Sequence, residues 1–362
     1  FLLIKLNNIM NICLLGNNLT NLVLANILLK KKIKVDIIYQ AKSLSLKNTI
    51  RTIAISNENY KFLSENIKGI LNLGWSTEKI KIYSTKNKSS ELFEFKNKNQ
   101  SNFFLLKYSE IYNLLKKNKS LNFINLKNYS LNTIKKREYN LIINSDQNNP
   151  ITKKYFQRRL EKNYKSLAHT VIINHKKIKN KIATQIFTKN GPLAFLPLSN
   201  NQTSIVYSNN SSKLIDKLSL LKIINDHNYQ YKITKISEVE SVGIKFSVLR
   251  DYIFKNILSF GDLIHKVHPL AGQGFNMTIR DIKSLSNILD ENIKLGINDG
   301  EIIAQKFQQK NKHLNFIYGL GIDTINTFFN FDSKLENNLS EPIFKLLKGN
   351  KLLNKYATFF SN

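Results

Sequence analysis

Hydrophobic positions open the chain in a strand, turn, helix, strand order. An apolar run from Asn11 to Leu15 (NICLL) meets Gly16, a helical stretch follows through Lys30, and a second apolar run occupies Lys34 to Ile38. A unit of about thirty residues in that order predicts the opening of a Rossmann-like parallel sheet. Arg51 to Ile55 leads into a helix predicted over Asn57 to Ile67, and the alternating runs Lys79 to Tyr83 and Leu92 to Phe95 read as strands with one wet face. Tyr108 to Lys117 has helical spacing, and Leu141 to Asn144 is a short buried strand ending near Asp146. From Ser166 to Tyr207 the pattern changes to strands, at Leu167 to Ile173, Ala183 to Phe187, Leu193 to Leu196 and Thr203 to Val206, split by Gly191, Pro192 and Pro197. That predicts an antiparallel layer. A helix near Lys213 to Asn225 and an apolar run from Tyr252 to Phe260 precede a glycine-rich stretch. Beyond it Ile282, Leu285, Leu289 and Ile293 mark one face of a helix, and the tail from Glu301 is helical with several aromatics. There is no internal repeat.

With 362 residues, 42% of them hydrophobic and 22% charged, the chain is a globular protein of one large or two ordinary domains rather than a disordered or fibrous one. Its single cysteine, Cys13, excludes an intramolecular disulfide framework and a cysteine zinc cluster, and points to a reducing compartment. Lying in the first strand, it reads as buried filler. The opening run Phe1 to Ile4 is broken at Lys5 and Asn7, too short for a signal segment or a membrane span, and no later window reaches transmembrane length, so membrane contact is expected to be peripheral. Met10 is the expected start, with residues 1–9 as upstream read-through or a fragment edge.

Lys and Arg number 55 against 25 Asp and Glu, a net charge of +30. Such an excess suits a polyanionic surface. The lysines, however, are scattered through every segment of a chain crowded with Asn and Ile, as AT-rich coding produces, and a nucleic-acid groove needs clustered charge with interleaved aromatics. No nucleic-acid partner is therefore expected, and a basic nucleic-acid binder stays as the remote alternative.

Candidate chemistry concentrates between Gly261 and Asn276, where Gly261, Gly272 and Gly274 fall close together in a chain with only 13 glycines. A strand ending in Gly261-Asp262 delivers a carboxylate to the carboxyl edge of the sheet, placed to accept hydrogen bonds from ligand hydroxyls. The loop from Pro269 to Gly274 offers bare backbone, and a helix starting near Phe275 or Asn276 points its positive end at an anion. A reduced flavin is such an anion, charged at its N1 and C2 carbonyl edge. A glycine-rich turn with a capping Asp is the alternative that spacing alone leaves open.

The string GDLIHKVHPLAGQGFNMTIRD resembles the second FAD-binding motif of the class A flavoprotein monooxygenases, and most closely that of the UbiH-like ubiquinone-biosynthesis hydroxylases. Gly261, Asp262, His265, His268, Pro269, Ala271, Gly272, Gln273, Gly274, Asn276, Arg280 and Asp281 stand where that family has the same residue. Arg51 to Ser56 resembles its arginine motif, and Gly191 to Leu198 its GPLALLPL strand. The resemblance implies an α/β fold: a discontinuous Rossmann-like FAD-binding domain (10–75, 100–150 and 250–300), an inserted antiparallel β-sheet substrate domain (76–99 and 151–249) and a helical C-terminal segment (301–362). It implies FAD as cofactor, with Asp262 on the ribityl hydroxyls, Gly272, Gln273, Gly274, Phe275 and Asn276 holding the pyrimidine end of the ring through backbone amides, and Arg51 reaching the FAD side of the cleft. Gly16, Asp146, Gly261 and Pro269 complete the implied cofactor contacts. The implied reaction is hydroxylation of a polyprenylated phenol on the route to ubiquinone: an electron donor such as NAD(P)H reduces the flavin, and O2 adds as a C4a-hydroperoxide whose distal oxygen passes to the ring. No catalytic side chain is implied, because the cofactor performs the chemistry. Other quinone-biosynthesis enzymes are implied partners, and the implied location is cytoplasmic, on the inner face of the membrane.

The chain departs from that pattern at the nucleotide end. Asn18 and Asn21 replace two glycines of the first G-x-G-x-x-G, Tyr39 and Gln40 stand where an acidic residue is expected, and Asn144-Ser145-Asp146-Gln147 keeps only the aspartate of a GADG motif. A catalytically silent relative that scaffolds the quinone enzymes is therefore the second reading. His265 and His268 lack a third ligand of matching spacing, so no metal is expected, and His169, His175, His227 and His313 read as surface residues. Trp75 and Phe95 read as core rather than pocket lining. The apolar and basic alternation of Phe328, Phe329, Phe331, Leu346, Leu347 and Phe359 with Lys345, Lys348 and Lys351 suits either an amphipathic surface on an anionic membrane or partner, or a helical lid on the FAD domain.

Overall fold

The computed structural model describes residues 10–40, 49–84, 90–96, 101, 103–126, 130–135, 137–268 and 272–334. The first apolar run is the strand Asn11–Leu15, paired in parallel with Lys34–Tyr39 on one side and Leu141–Asn144 on the other. The sheet extends in parallel to Asn122–Asn125 at one edge and to Ile257–Ser259 at the other, where Ile253–Phe254 adds an antiparallel hairpin. Its central strands are buried along nearly their whole length because helices cover both faces, which is why they read as continuous apolar runs. The Leu19–Lys30 helix packs on one face, and Gln273–Lys294 and Gly300–Lys334 bury Ile279, Ile282, Leu285, Leu289 and Phe307 in the same core.

A second sheet of nine strands carries the antiparallel layer. Its long strand Arg159–His175 runs between Gln202–Asn209 and Glu240–Leu249, and the sheet continues through Gly191–Ser199 and Ile182–Thr188 to Lys79–Ser84 and Ser90–Lys96. A third sheet of three strands, in the order Thr52–Ser56, Phe103–Lys107, Trp75–Thr77, is interleaved with the other two along the chain.

Several expected boundaries move for identifiable reasons. Pro192 and Pro197 do not split the Gly191–Ser199 strand: Pro192 is its second residue, and Pro197, opposite Thr203, borders the register shift before Ser199, so the missing N–H falls where the ladder becomes irregular. The Tyr252 to Phe260 run is a hairpin rather than one strand, turned by Lys255 at φ 55°. The helix expected near Lys213 begins at Lys217, because the carboxylate of Asp216 accepts from the amides of Leu218 and Ser219 and fixes the cap. Among the described residues no helix is long and apolar enough to cross a membrane. The amphipathic pattern of the chain's last 28 residues lies outside the described residues, as do the side chains of Phe328, Phe329, Phe331 and Phe95.

Candidate functional site at the carboxyl edge of the parallel sheet

Four loops leave the carboxyl ends of the parallel strands side by side, the position where open α/β sheets take ligands. Gly16 follows the first strand, Tyr39 ends the second, Asp146 follows the Leu141–Asn144 strand, and Gly261-Asp262 the Ile257–Ser259 strand. Gly16 at φ 106° turns back so that its amide donates to Ile38 O, 2.8 Å, and a Cβ there would stand 3.0 Å from that of Asp146. Gly261 at φ 61° packs on Thr20, whose Cγ2 would lie 2.8 Å from an added Cβ. Asp262 is exposed, and its charge favours the ammonium of Lys266, which burial pulls below the usual lysine range. Lys266 donates to Gln147 Oε1 (2.5 Å), and Gln147 Nε2 donates to the carbonyl of Asp262 (3.0 Å), tying two of the loops together.

Gly272 to Asn276 forms the start of a 22-residue helix, which begins at Gln273 rather than at Phe275 or Asn276. Gly272 caps it at φ 69° with no side-chain cap bond, and a Cβ there would meet Ala54 Cβ at 2.8 Å. Only glycine satisfies both constraints. Asn276 is buried and fully engaged: Nδ2 donates to Ala54 O (2.9 Å) and Gly272 O (3.3 Å), while Oδ1 accepts from Ser56 N (2.9 Å) and Asn59 Nδ2 (3.0 Å). The helix start is thereby stitched to the Thr52–Ser56 strand that follows Arg51. Gly274 differs. Among the described residues a Cβ there would touch only Val267 Cγ2, at an ordinary 3.6 Å. Packing does not require this glycine, although glycine inside a helix costs about 1 kcal/mol against alanine. The geometry suits a ligand passing close over the first turn, where amides and the helix dipole face it. Phe275 is half-buried against the main core, Gln273 is half-exposed, and Pro269 lies outside the described residues.

Arg51 is exposed, with its guanidinium 5.7 Å from the ring centre of Tyr108. Tyr108 was not foreseen as a site residue, yet it is where the separate segments meet: burial pushes its phenol up to about 12, the charge of Arg51 and the Leu19 amide oppose the rise, and the charge of Asp262 adds to it. No sequence motif marked it, because it opens the Tyr108–Lys116 helix and looks like one more aromatic on its apolar face. Asn59 and Ala54 were likewise missed, since their roles follow from register against Asn276.

At the nucleotide end the departures from the glycine pattern are structural elements in their own right. Asn18 caps the first helix by accepting from Asn21 N (3.1 Å) and donates to Ser145 Oγ (2.8 Å). Asn21 is fully buried, donating to Leu15 O (2.9 Å) and Gly16 O (2.7 Å). Asn17 accepts from Tyr112 (3.0 Å). Asp146 accepts from the amide of Asn148 (2.9 Å) and shapes its own turn.

The motif's other polar residues hold the scaffold. His265 and Asp281 are buried with Nε2 and Oδ2 2.7 Å apart, and Asn315 Nδ2 donates to the same carboxylate (3.1 Å), linking the two long helices. Arg280 stacks 3.5 Å over the ring of Tyr318. His268 is buried edge-on to Tyr164, and burial drives its imidazole down to about 4. Two of the histidines read as surface residues are interior: His169 pairs through Nδ1 with Ser241 Oγ (2.8 Å) while its Nε2 finds no partner among the described residues, and His175 pairs through Nε2 with Thr203 Oγ1 (3.0 Å) and through Nδ1 with Lys176 O (2.9 Å). An apolar, alternating strand hides such residues because hydrogen bonds to neighbouring strands let an imidazole sit among aliphatic chains. Cys13 is buried, as its strand position implied, and Trp75 is half-buried, donating to Asn180 O (2.7 Å).

Residues 207–298 match the family model for the FAD binding domain. The chain is 26% identical over 214 residues to a ubiquinone biosynthesis monooxygenase COQ6 of Dictyostelium discoideum, covering 46% of this chain and 43% of that protein. It is 29% identical over 150 residues to the 3-demethoxyubiquinol 3-hydroxylase of Escherichia coli, covering 38% and 37%. The matches thus span less than half the length of these relatives. Among solved structures, PqsL of Pseudomonas aeruginosa, a probable FAD-dependent monooxygenase, superposes with a TM-score of 0.69 at 14% identity over 92% of this chain and 99% of that one. An FAD complex of an HpxO variant from Klebsiella pneumoniae gives 0.73 at 10% identity over 97% and 98%. At such identities these likenesses establish the fold.

Proposed function

We propose that this chain, similar over part of its length to ubiquinone-biosynthesis hydroxylases and sharing the fold of FAD-dependent monooxygenases, is an FAD-dependent hydroxylase acting on a polyprenylated phenol. The observation that carries the proposal is the pair of glycines at the helix start. Gly272 is demanded by its backbone and by Ala54, whereas Gly274 is demanded by nothing among the described residues, as expected where a flat ring lies on the first turn. FAD supplies the redox and oxygen-transferring chemistry when bound. The chain's part is to hold and shield it. Asn276 fixes the helix start so that its amides meet the electron-rich edge of the ring. Asp262, exposed at the sheet edge, accepts from the ribityl hydroxyls, while Arg51 and Lys266 supply positive charge along the cleft. Segments 10–75, 100–150 and 250–300 form the cofactor unit in this reading, and the sheet of 76–99 and 151–249 roofs the substrate. O2 and a donor such as NAD(P)H are the co-reactants. The substrate's prenyl tail favours work at a membrane face, with other quinone enzymes as neighbours.

The test uses purified protein. A yellow preparation that bleaches anaerobically with NAD(P)H, and that recolours in air while hydroxylating a prenylated phenol, meets the proposal. A protein that takes up no flavin overturns it. A second reading, a non-catalytic flavoprotein relative that scaffolds the same enzymes, is favoured by the polar side chains packed into the nucleotide end. It expects co-purification with quinone enzymes and no hydroxylated product.

A further inference from the structure

We propose that this protein grips its cofactor by the ring and ribityl half and gives the pyrophosphate and adenosine of FAD almost no purchase, so that riboflavin, FMN and FAD bind with similar affinity. The inference rests on the flavin reading above and concerns what the opposite end of the same cleft selects.

A dinucleotide's pyrophosphate ordinarily takes the open amides at the start of the helix that follows the first strand, and glycines in the turn let it approach. Here the chain occupies that turn with its own side chains. Asn18 Oδ1 holds the amide of Asn21 (3.1 Å), and the phenol of Tyr112 donates to Asn17 Oδ1 (3.0 Å) beside it. The occupants are anchored from behind and do not swing away freely. Asn18 is tied across the cleft to Ser145 Oγ (2.8 Å), and Asn21 is locked to two carbonyls of the turn. The neighbouring loop closes in as well, with Gly16 facing Asp146 so tightly that an added Cβ would stand 3.0 Å from the aspartate's.

The ribose side is equally spent. Asp36 is the acidic residue of the second strand, but it is buried, accepting from Asn122 Nδ2 (2.7 Å) and Tyr139 Oη (2.6 Å). The strand ends in Tyr39, whose ring packs edge-on to Phe123. Arg51, beside Tyr108, is solvent-exposed, where a charge pair contributes little. The flavin end, in contrast, keeps its uncapped helix start and its unforced glycine.

Calorimetric titration of flavin-free protein with riboflavin, FMN and FAD tests the idea without any turnover. The expected result is three dissociation constants within about tenfold of one another. FAD binding tighter than riboflavin by more than about tenfold overturns the proposal. Failure of all three to bind overturns the flavin reading itself, a distinct outcome. Asn18→Gly, which removes the carboxamide with little loss of capping, is expected to tighten FAD selectively and leave riboflavin unchanged. Parallel changes for both ligands in this variant count against the proposal.

Discussion

Asn276 donates from Nδ2 to the carbonyl oxygen of Ala54, 2.9 Å away and 222 positions earlier in the chain. Together with the bond from Ser56 N to Asn276 Oδ1, it makes the helix start and the strand after Arg51 one rigid piece. Asn276→Ala strands a buried backbone amide and a buried carbonyl, a loss expected to be about 2–4 kcal/mol. Chemical denaturation measures it, and flavin affinity should fall with it because the helix start loses its position. Asn276→Asp keeps the acceptor for Ser56 N and loses the donor to Ala54 O, so it should fall between the two.

Gly272 and Gly274 are expected to respond in opposite directions. Alanine at Gly272 must adopt φ 69° and also push against Ala54, so destabilisation of about 1–3 kcal/mol is expected. Alanine at Gly274 meets only an ordinary contact with Val267, so the helix should gain about 0.5–1 kcal/mol. If a ring lies on this turn, Gly274→Ala stabilises the fold and weakens flavin binding together. Thermal melts in parallel with calorimetric titration check both signs, and unchanged flavin affinity in this variant would remove the close approach.

Much of this geometry could be read before the fold was known, and the reasons are local. Asn11 to Leu15 with Gly16, and the run from Gly261 to Asn276, announce themselves because a parallel strand buried on both faces is continuously apolar, and because glycine is costly unless the backbone requires it. The contributions of Asn59 and Asp36 were not legible, since each depends on a partner 86 or more positions away: Asn276 for Asn59, Asn122 for Asp36. The asparagines at 18 and 21 were legible as missing glycines. That they cap and brace the turn follows only from where their carboxamides point.

His268 makes acid stability a specific prediction. Its imidazole is buried and held down to about 4, against an ordinary 6.5, chiefly by desolvation and partly countered by Asp323. The folded state therefore keeps it neutral while the unfolded chain protonates it first. The stability it contributes is complete above pH 6.5 and is lost as the pH falls from there toward 4, by about 3 kcal/mol from this residue. Urea denaturation at stepped pH should show that fall, and His268→Gln should flatten it.

Arg51 tests which part of the ligand feels charge. Its guanidinium is exposed beside Tyr108, so its worth to a bound phosphate is expected to be modest, about 1 kcal/mol or roughly fivefold in affinity. Because riboflavin carries no phosphate, Arg51→Ala should weaken FMN and FAD and leave riboflavin alone, and the difference should shrink as salt is added, since an exposed pair is screened. Equal weakening of all three ligands would instead locate Arg51 against the ring or the ribityl chain, with its pull exerted on the half of the cofactor that every flavin shares.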